Sequence, residues 1–239
     1  MRYQGGKGRL AGWIWATIDE HRGDRTTFVE PFLGGCNLVT AGHDRFDAYC
    51  LSDSWGPVVA LWSSAQACWV PPHVTRDMYY GIKSAPDEHE ARLVGFAAHG
   101  CSFGGIRWGG YAGATSSRDH VSEAIRAFLA KAERLRSLRD VRIVESGYAS
   151  VDVDEDSVVY CDPPYAGLRG YGSSSWDQPS FVRWCESASR SGALVVVSGY
   201  GVPAGWTELA SRRRTSTLRS SDLGGTQRVE RLSTPGLHG

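Results

Sequence analysis

Thr26-Thr27-Phe28-Val29-Glu30-Pro31-Phe32-Leu33-Gly34-Gly35-Cys36-Asn37 decides the fold: a short apolar strand, Thr26 to Glu30, runs into a proline and then a glycine turn, after which Asn37 is placed to cap a helix. Upstream lies a glycine loop, Gly5-Gly6-Lys7-Gly8, followed by an amphipathic helix over Arg9 to Glu20 with Leu10, Trp13, Ile14, Thr17 and Ile18 on one face. Downstream, a second strand, Asp47 to Ser52, closes on Asp53. Strand, glycine turn, helix, strand and terminal acid form the skeleton of an α/β nucleotide-binding half.

The remainder extends this plan. From Ser64 to Asp140 helices and loops predominate: Thr75 to Lys83 and His89 to Gly100 read as helices, and Cys101 to Ser117 is rich in Gly, Ser and aromatics. Ser117 is expected to open a long helix, with Val121, Ile125, Phe128, Ala132, Leu135 and Leu138 at helical spacing. Strands resume at Val141 to Glu145 and at Ser157 to Cys161. Ala193 to Ser198 is apolar enough for a buried parallel strand, and Arg212 to Ser233 carries Gly224-Gly225 between two β-prone arms, the pattern of an antiparallel hairpin.

The chain has 239 residues, 41% of them hydrophobic and 22% charged, which is the composition of a globular domain and excludes a disordered one. Its longest apolar runs, Ala193 to Val197 among them, are too short to cross a bilayer, and the first residues show no apolar signal segment. A soluble, cytoplasmic protein is expected. The 26 basic residues balance 26 acidic ones, so no bulk positive charge advertises a nucleic-acid partner. All but Lys7, Lys83 and Lys131 of those basic residues are arginines, a skew that GC-rich coding also produces. The six cysteines include no Cys-x-x-Cys and no histidines at ligand spacing, so neither a metal site nor a disulfide framework is expected.

The sharpest chemical feature is Val158-Val159-Tyr160-Cys161-Asp162-Pro163-Pro164-Tyr165. A buried strand stops at an acid, two prolines stiffen the turn, and an aromatic follows. The carboxyl end of a parallel strand is where α/β sheets place ligands. The turn offers a carboxylate and a proline-flanked carbonyl as acceptors beside a flat ring, a set that fits a planar substrate bearing an exocyclic NH2. Such an amine is a poor nucleophile because its lone pair is delocalised into the ring. Two acceptors on its hydrogens favour the more nucleophilic pyramidal form as charge develops.

On these motifs the chain resembles the Dam-type, D12-class N6-adenine DNA methyltransferases, including phage versions. Tyr3-Gln4-Gly5-Gly6-Lys7 is similar to the family's N-terminal aromatic-x-Gly-Gly-Lys, and Phe28 to Gly35 to its methyl-donor loop. Ser157 to Tyr165 resembles its catalytic segment and Gly224-Gly225-Thr226-Gln227-Arg228 its C-terminal hairpin. The resemblance implies an α/β, Rossmann-like methyltransferase fold with a small helical target-recognition insertion, S-adenosylmethionine as methyl donor, no metal, and a flipped adenine in double-stranded DNA as acceptor. It divides the chain into a donor-binding half (1–63), the recognition insertion (64–140) and a catalytic half with the hairpin (141–239).

By the same resemblance Tyr3 and Lys7 approach the donor's amino-acid end, Pro31, Phe32 and Gly34 form the donor loop, and Asp53 meets the ribose hydroxyls. Asp162, with Pro163, Pro164 and Tyr165, serves donor and target amine. In the insertion, Arg107 is the leading candidate for a base or phosphate contact, with Trp108 and Tyr111 as wedging or stacking rings; Arg213 in Arg212-Arg213-Arg214 is placed for phosphates. The family loop reads Phe-x-Gly-x-Gly, whereas this one reads Phe32-Leu33-Gly34-Gly35-Cys36, which leaves open how Gly35-Cys36 affects the donor. A polar contact to the donor's adenine falls near Glu145-Ser146.

Rival chemistries fail on residues. There is no Pro-Cys dipeptide for a C5-cytosine methyltransferase, no P-loop spacing around Gly6-Lys7 and no His-Glu-x-x-His. N4-cytosine methylation asks for the same acceptors, but serine more often stands where Asp162 is. A catalytically idle DNA-binding relative is opposed by the intact Asp162-Pro163-Pro164-Tyr165, and an RNA substrate by the helical insertion. A monomer or weak dimer is expected, in a host cytoplasm if the protein is phage-encoded.

Overall fold

The computed structural model describes residues 1–42, 44–164, 176–214 and 228–236. Tyr165 and the Gly224-Gly225-Thr226-Gln227 turn lie outside them. In chain order the elements are α1 (Ala11–His21), β1 (Thr27–Glu30), β2 (Ala48–Asp53), α2 (Gly56–Gln66), α3 (Arg76–Ser84), α4 (Ala91–Gly100), α5 (His120–Arg136), β3 (Val141–Glu145), β4 (Ser157–Cys161), α6 (Gln178–Arg190), β5 (Leu194–Gly199), β6 (Trp206–Arg214) and β7 (Arg228–Pro235). This is a mixed α/β chain, consistent with a Rossmann-like methyltransferase fold. It forms two compact units, Met1–Gly12 with Glu30–Val151, and Trp13–Val29 with Asp152–Gly239.

In the first unit β2 and β3 pair in parallel, with Asp53 opposite Glu145 at their carboxyl ends. Helix α2 starts three residues after Asp53, with Trp55 at its N-cap position and Pro57 in its first turn, where a missing N–H costs nothing. It lies tight against α4: a Cβ on Gly95 would come within 2.1 Å of the Pro57 carbonyl oxygen, so only glycine permits the approach. Helix α5 buries Val121, Ala124, Phe128, Ala132 and Leu135, and Phe128 stacks on Trp62 with centroids 5.4 Å apart. The expected Ser117 start is corrected. Asp119 caps α5, its Oδ1 accepting from the N–H groups of Val121 and Ser122 at 3.0 and 3.1 Å.

Asn37 caps no α-helix either; a 3₁₀ turn, Val39–Ala41, follows without a side-chain cap. The Asn37 amide oxygen instead accepts from Lys131 Nζ at 2.7 Å.

In the second unit β1, β4 and β5 run parallel, and β7 and β6 continue the sheet antiparallel. Every residue of β4 is buried, as a central parallel strand requires. Trp15 of α1 packs on Phe28 of β1 at 4.9 Å. The two arms expected of a C-terminal hairpin pair antiparallel, with Arg212 opposite Glu230 and Arg213 opposite Val229. Helix α6, capped by Asp177 and burying Phe181, Cys185 and Ala188, and helix α2 were not anticipated from sequence.

Candidate active site

The glycine turn after β1 is fixed at nearly every backbone group. The Leu33 N–H donates to the Ser52 carbonyl at 2.9 Å, and the Gly34 N–H to Asp53 Oδ2 at 2.9 Å. Three successive carbonyls are each occupied: Gly34 accepts from Trp62 Nε1 at 2.8 Å, Gly35 from Lys131 Nζ at 2.5 Å, and Cys36 from the Thr40 hydroxyl. The turn uses left-handed backbone at Gly34 (φ +45°) and at Cys36 (φ +50°). The shifted glycine therefore leaves a non-glycine residue in a conformation that normally suits glycine.

Tyr3 lies against this turn. A Cβ on Gly34 would come within 2.7 Å of Tyr3 Cε1, and one on Gly35 within 2.5 Å of Tyr3 Cβ. Both glycines are thus needed for the close approach of the ring. Tyr3 also stacks on His99 of α4, with centroids 4.3 Å apart, and His99 meets Trp55 edge-on at 5.3 Å. Pro31 and Lys7 are buried; Phe32 is half-buried, and its ring stacks on Tyr148 with centroids 5.8 Å apart.

Asp53 is half-buried at the end of β2. Its Oδ1 accepts from the Trp55 N–H at 2.9 Å while Oδ2 holds Gly34, so one carboxylate joins the two loops. Burial pushes its pKa up, opposed by those N–H donors and by the charge of Arg107. The Arg107 guanidinium lies over the Trp55 ring, 3.9 Å from its centroid, a cation–π contact at the mouth of this cluster. Glu145, opposite Asp53, directs its carboxylate at the first turn of α2, where a Cβ on Gly56 would meet Glu145 Oε2 at 2.6 Å. A carboxylate suits that helix end.

His99 is 4% exposed, and burial lowers its pKa to about 4, with Arg107 acting in the same sense. The ring is neutral. One nitrogen, Nδ1, lies 3.1 Å from the Gly105 carbonyl and must therefore carry the proton, which leaves Nε2 as a buried acceptor with no hydrogen-bond partner among the described residues. Trp108 and Tyr111 are packed inward on Tyr79, each with centroids 5.5 Å from it, and the Tyr111 hydroxyl donates to the Val74 carbonyl at 2.9 Å. On the same segment Phe103 is 70% exposed and Arg107 is exposed.

In the second unit Asp162 stands at the end of β4. Ser198 of β5 lies beside it, its Oγ 3.1 Å from Asp162 Oδ1, and the Tyr160 hydroxyl donates to Ser198 Oγ at 3.1 Å. With Tyr160 supplying Ser198, the single Ser198 proton faces the Asp162 carboxylate at 3.1 Å and the Cys161 carbonyl at 3.4 Å, and the carboxylate is the nearer and the charged acceptor. Pro163 is buried and Pro164 half-buried, and Arg213 is exposed on β6.

Sequence reasoning thus missed Trp55, His99, Lys131 and Ser198. For Trp55 the available signal was its position two residues after the strand-closing acid; the others carry none, because their partners are distant in the chain. Among the described residues no group of three or more His, Cys, Asp or Glu is placed to hold a metal ion, and no helix is long and apolar enough to cross a membrane.

Residues 3–96 match the family model of the D12 class N6 adenine-specific DNA methyltransferases. The matched stretch holds Tyr3, Lys7, the glycine turn and Asp53, and ends before the Asp162 segment. Over this stretch, less than half of the chain, it is similar to the adenine-specific DNA methyltransferases of that class. No curated protein matches it.

Proposed function

We propose that the chain is an adenine-specific DNA methyltransferase that takes its methyl from S-adenosylmethionine, held by the first unit, and passes it to an adenine N6 presented to Asp162. The first unit supports the donor role on its own chemistry. A glycine turn brings backbone close to a ligand, Asp53 offers a carboxylate for ribose hydroxyls as in dinucleotide sites, and buried Lys7 supplies a cation for the donor carboxylate. Tyr3, packed on Gly34 and Gly35, shapes the turn from the N-terminal side. The donor contributes an electrophilic methyl on a sulfonium.

At the acceptor, Asp162 and the proline-flanked carbonyl take hydrogen bonds from the adenine NH2 and draw its lone pair out of the ring. The N6 lone pair forms the new N–C bond, the C–S pair leaves with sulfur, and N6 then loses a proton. Asp162, with Ser198 on its carboxylate, stabilises the positive charge that develops on N6. Tyr165, outside the described residues, supplies a face on which a flipped base stacks. Arg107 and Arg213 serve the DNA. The substrate form is duplex, and the enzyme works as a monomer or weak dimer in the cytoplasm.

The observation that carries this reading is the acid at the end of β4, stiffened by two prolines and held by the Tyr160–Ser198 chain. Asp162→Ala tests it. Loss of one transition-state acceptor costs ~10²–10³-fold in kcat while donor binding persists. Wild-type kcat in that variant removes Asp162 from the chemistry.

A further inference from the structure

The departure at Gly35-Cys36 is matched by a residue from far along the chain. Lys131 of α5 reaches the donor turn with its ammonium, donating to the Gly35 carbonyl at 2.5 Å and to Asn37 Oδ1 at 2.7 Å. Its stem passes Trp62, with Nζ 5.6 Å from the ring centroid, and Trp62 itself holds the Gly34 carbonyl. Asn37 is in turn tight against the N-terminal loop, since a Cβ on Gly6 would meet Asn37 Nδ2 at 2.4 Å and one on Gly35 would meet it at 2.6 Å. One side chain therefore secures the glycine turn and the Gly5-Gly6-Lys7 loop together.

We infer that Lys131 is a positioning residue for the methyl donor: by holding the Gly35 carbonyl and Asn37 it keeps the turn, with its left-handed Gly34 and Cys36, in the donor-binding shape. The inference rests on the reading of this turn as the donor site. It also gives α5, within the stretch assigned to target recognition, a second task. The ammonium is largely desolvated, which lowers its pKa to about 8, while the Glu30 carboxylate favours the charge and Arg134 opposes it. An amine kept in such surroundings is there for its bonds, because a solvated lysine on a helix surface would make none of them. Cys36 is fully buried in the same turn, and its thiol pKa is pushed up by that burial, so it is unreactive while the turn is closed.

Lys131→Met keeps the stem and removes the donor. Hydrogen bonds from a charged group are the stronger kind, and losing the pair predicts at least tenfold weaker binding of S-adenosylhomocysteine by calorimetry. The loss falls on the donor KM rather than on kcat at saturating donor. Alkylation of Cys36 by iodoacetamide, followed by peptide mass spectrometry, reads the turn directly: it accelerates in Lys131→Met and slows again when S-adenosylhomocysteine is added. Lys131→Arg keeps the charge with a different fork geometry and gives a smaller loss of the same kind; it also serves if the methionine variant does not fold. Unchanged affinity with equally protected Cys36, in a background where the wild type binds S-adenosylhomocysteine, overturns the inference and leaves the functional reading standing. A wild type that binds no S-adenosylhomocysteine removes the reading itself.

Discussion

Gly34→Ala tests whether the donor turn has the shape described. Gly34 has φ +45°, where an L side chain costs roughly 1–2 kcal/mol. The added Cβ would also sit 2.7 Å from Tyr3 Cε1 and 2.9 Å from Cζ, well inside the roughly 3.5–4.0 Å of an ordinary carbon contact. Tyr3 cannot swing aside freely, because its ring is stacked on His99 at 4.3 Å. Overpacking of this kind costs about 1–3 kcal/mol, giving a total of about 2–5 kcal/mol. Gly5→Ala separates the two contributions. Gly5 has φ +76° and nothing within 4 Å of its Cβ, so it bears the backbone cost alone. Urea denaturation of both variants should place Gly34→Ala below Gly5→Ala by the clash, and adding Tyr3→Ala to each should close that gap. Titration with S-adenosylhomocysteine should show the weakening only in Gly34→Ala. Equal destabilisation of the two glycine variants, or a gap that survives loss of the Tyr3 ring, refutes the packing argument.

Two further predictions concern the neighbouring groups. His99 has a pKa lowered from 6.5 to about 4, so its protonation opposes folding; its contribution is complete above pH 6.5 and is lost as the pH falls toward 4. At 1.36 kcal/mol per unit this is about 3 kcal/mol, and denaturation midpoints measured from pH 7 to 4.5 should fall more steeply in the wild type than in His99→Asn, equal slopes counting against a buried neutral imidazole. Arg107→Ala should relax the recognised sequence at one position by roughly 1–3 kcal/mol if the guanidinium reads a base edge, or reduce the salt slope by about one if it meets phosphate; an unchanged preference and slope would place it outside the DNA interface.

What the sequence revealed follows from where the determining contacts lie. Strands β3 and β4 are bounded where expected because their apolar runs end at charged or proline-flanked residues. Helix α2 escaped notice because Val58, Leu61, Trp62 and Ala65 are all fully buried, and Val58-Val59-Ala60-Leu61-Trp62 reads as a continuous apolar run rather than an amphipathic one. Helix α6 was missed although its signal was present: Asp177 as cap, Pro179 in the first turn, and Phe181, Cys185 and Ala188 at helical spacing. Ser117 and Asp119 are both capping types, and only the two N–H groups taken by Asp119 decide between them. The supports of the site were hidden for a different reason. Lys131 reads as a solvated helix lysine, His99 as a core histidine and Ser198 as the end of an apolar strand, until folding sets them against Gly35, Tyr3 and Asp162. Residue chemistry announces the groups that meet the substrate, while the groups that hold them in place depend on contacts distant in sequence.

The central claim is transfer of a methyl to adenine N6, and the product measures it directly. The purified protein is incubated with unmethylated duplex DNA and methyl-labelled S-adenosylmethionine, the DNA is digested to nucleosides, and the products are resolved by mass spectrometry. The account predicts labelled N6-methyl-2′-deoxyadenosine, formed by the wild type and strongly reduced in Asp162→Ala. Labelled N4-methyl-2′-deoxycytidine, or no labelled nucleoside from a protein that binds the donor, would contradict it.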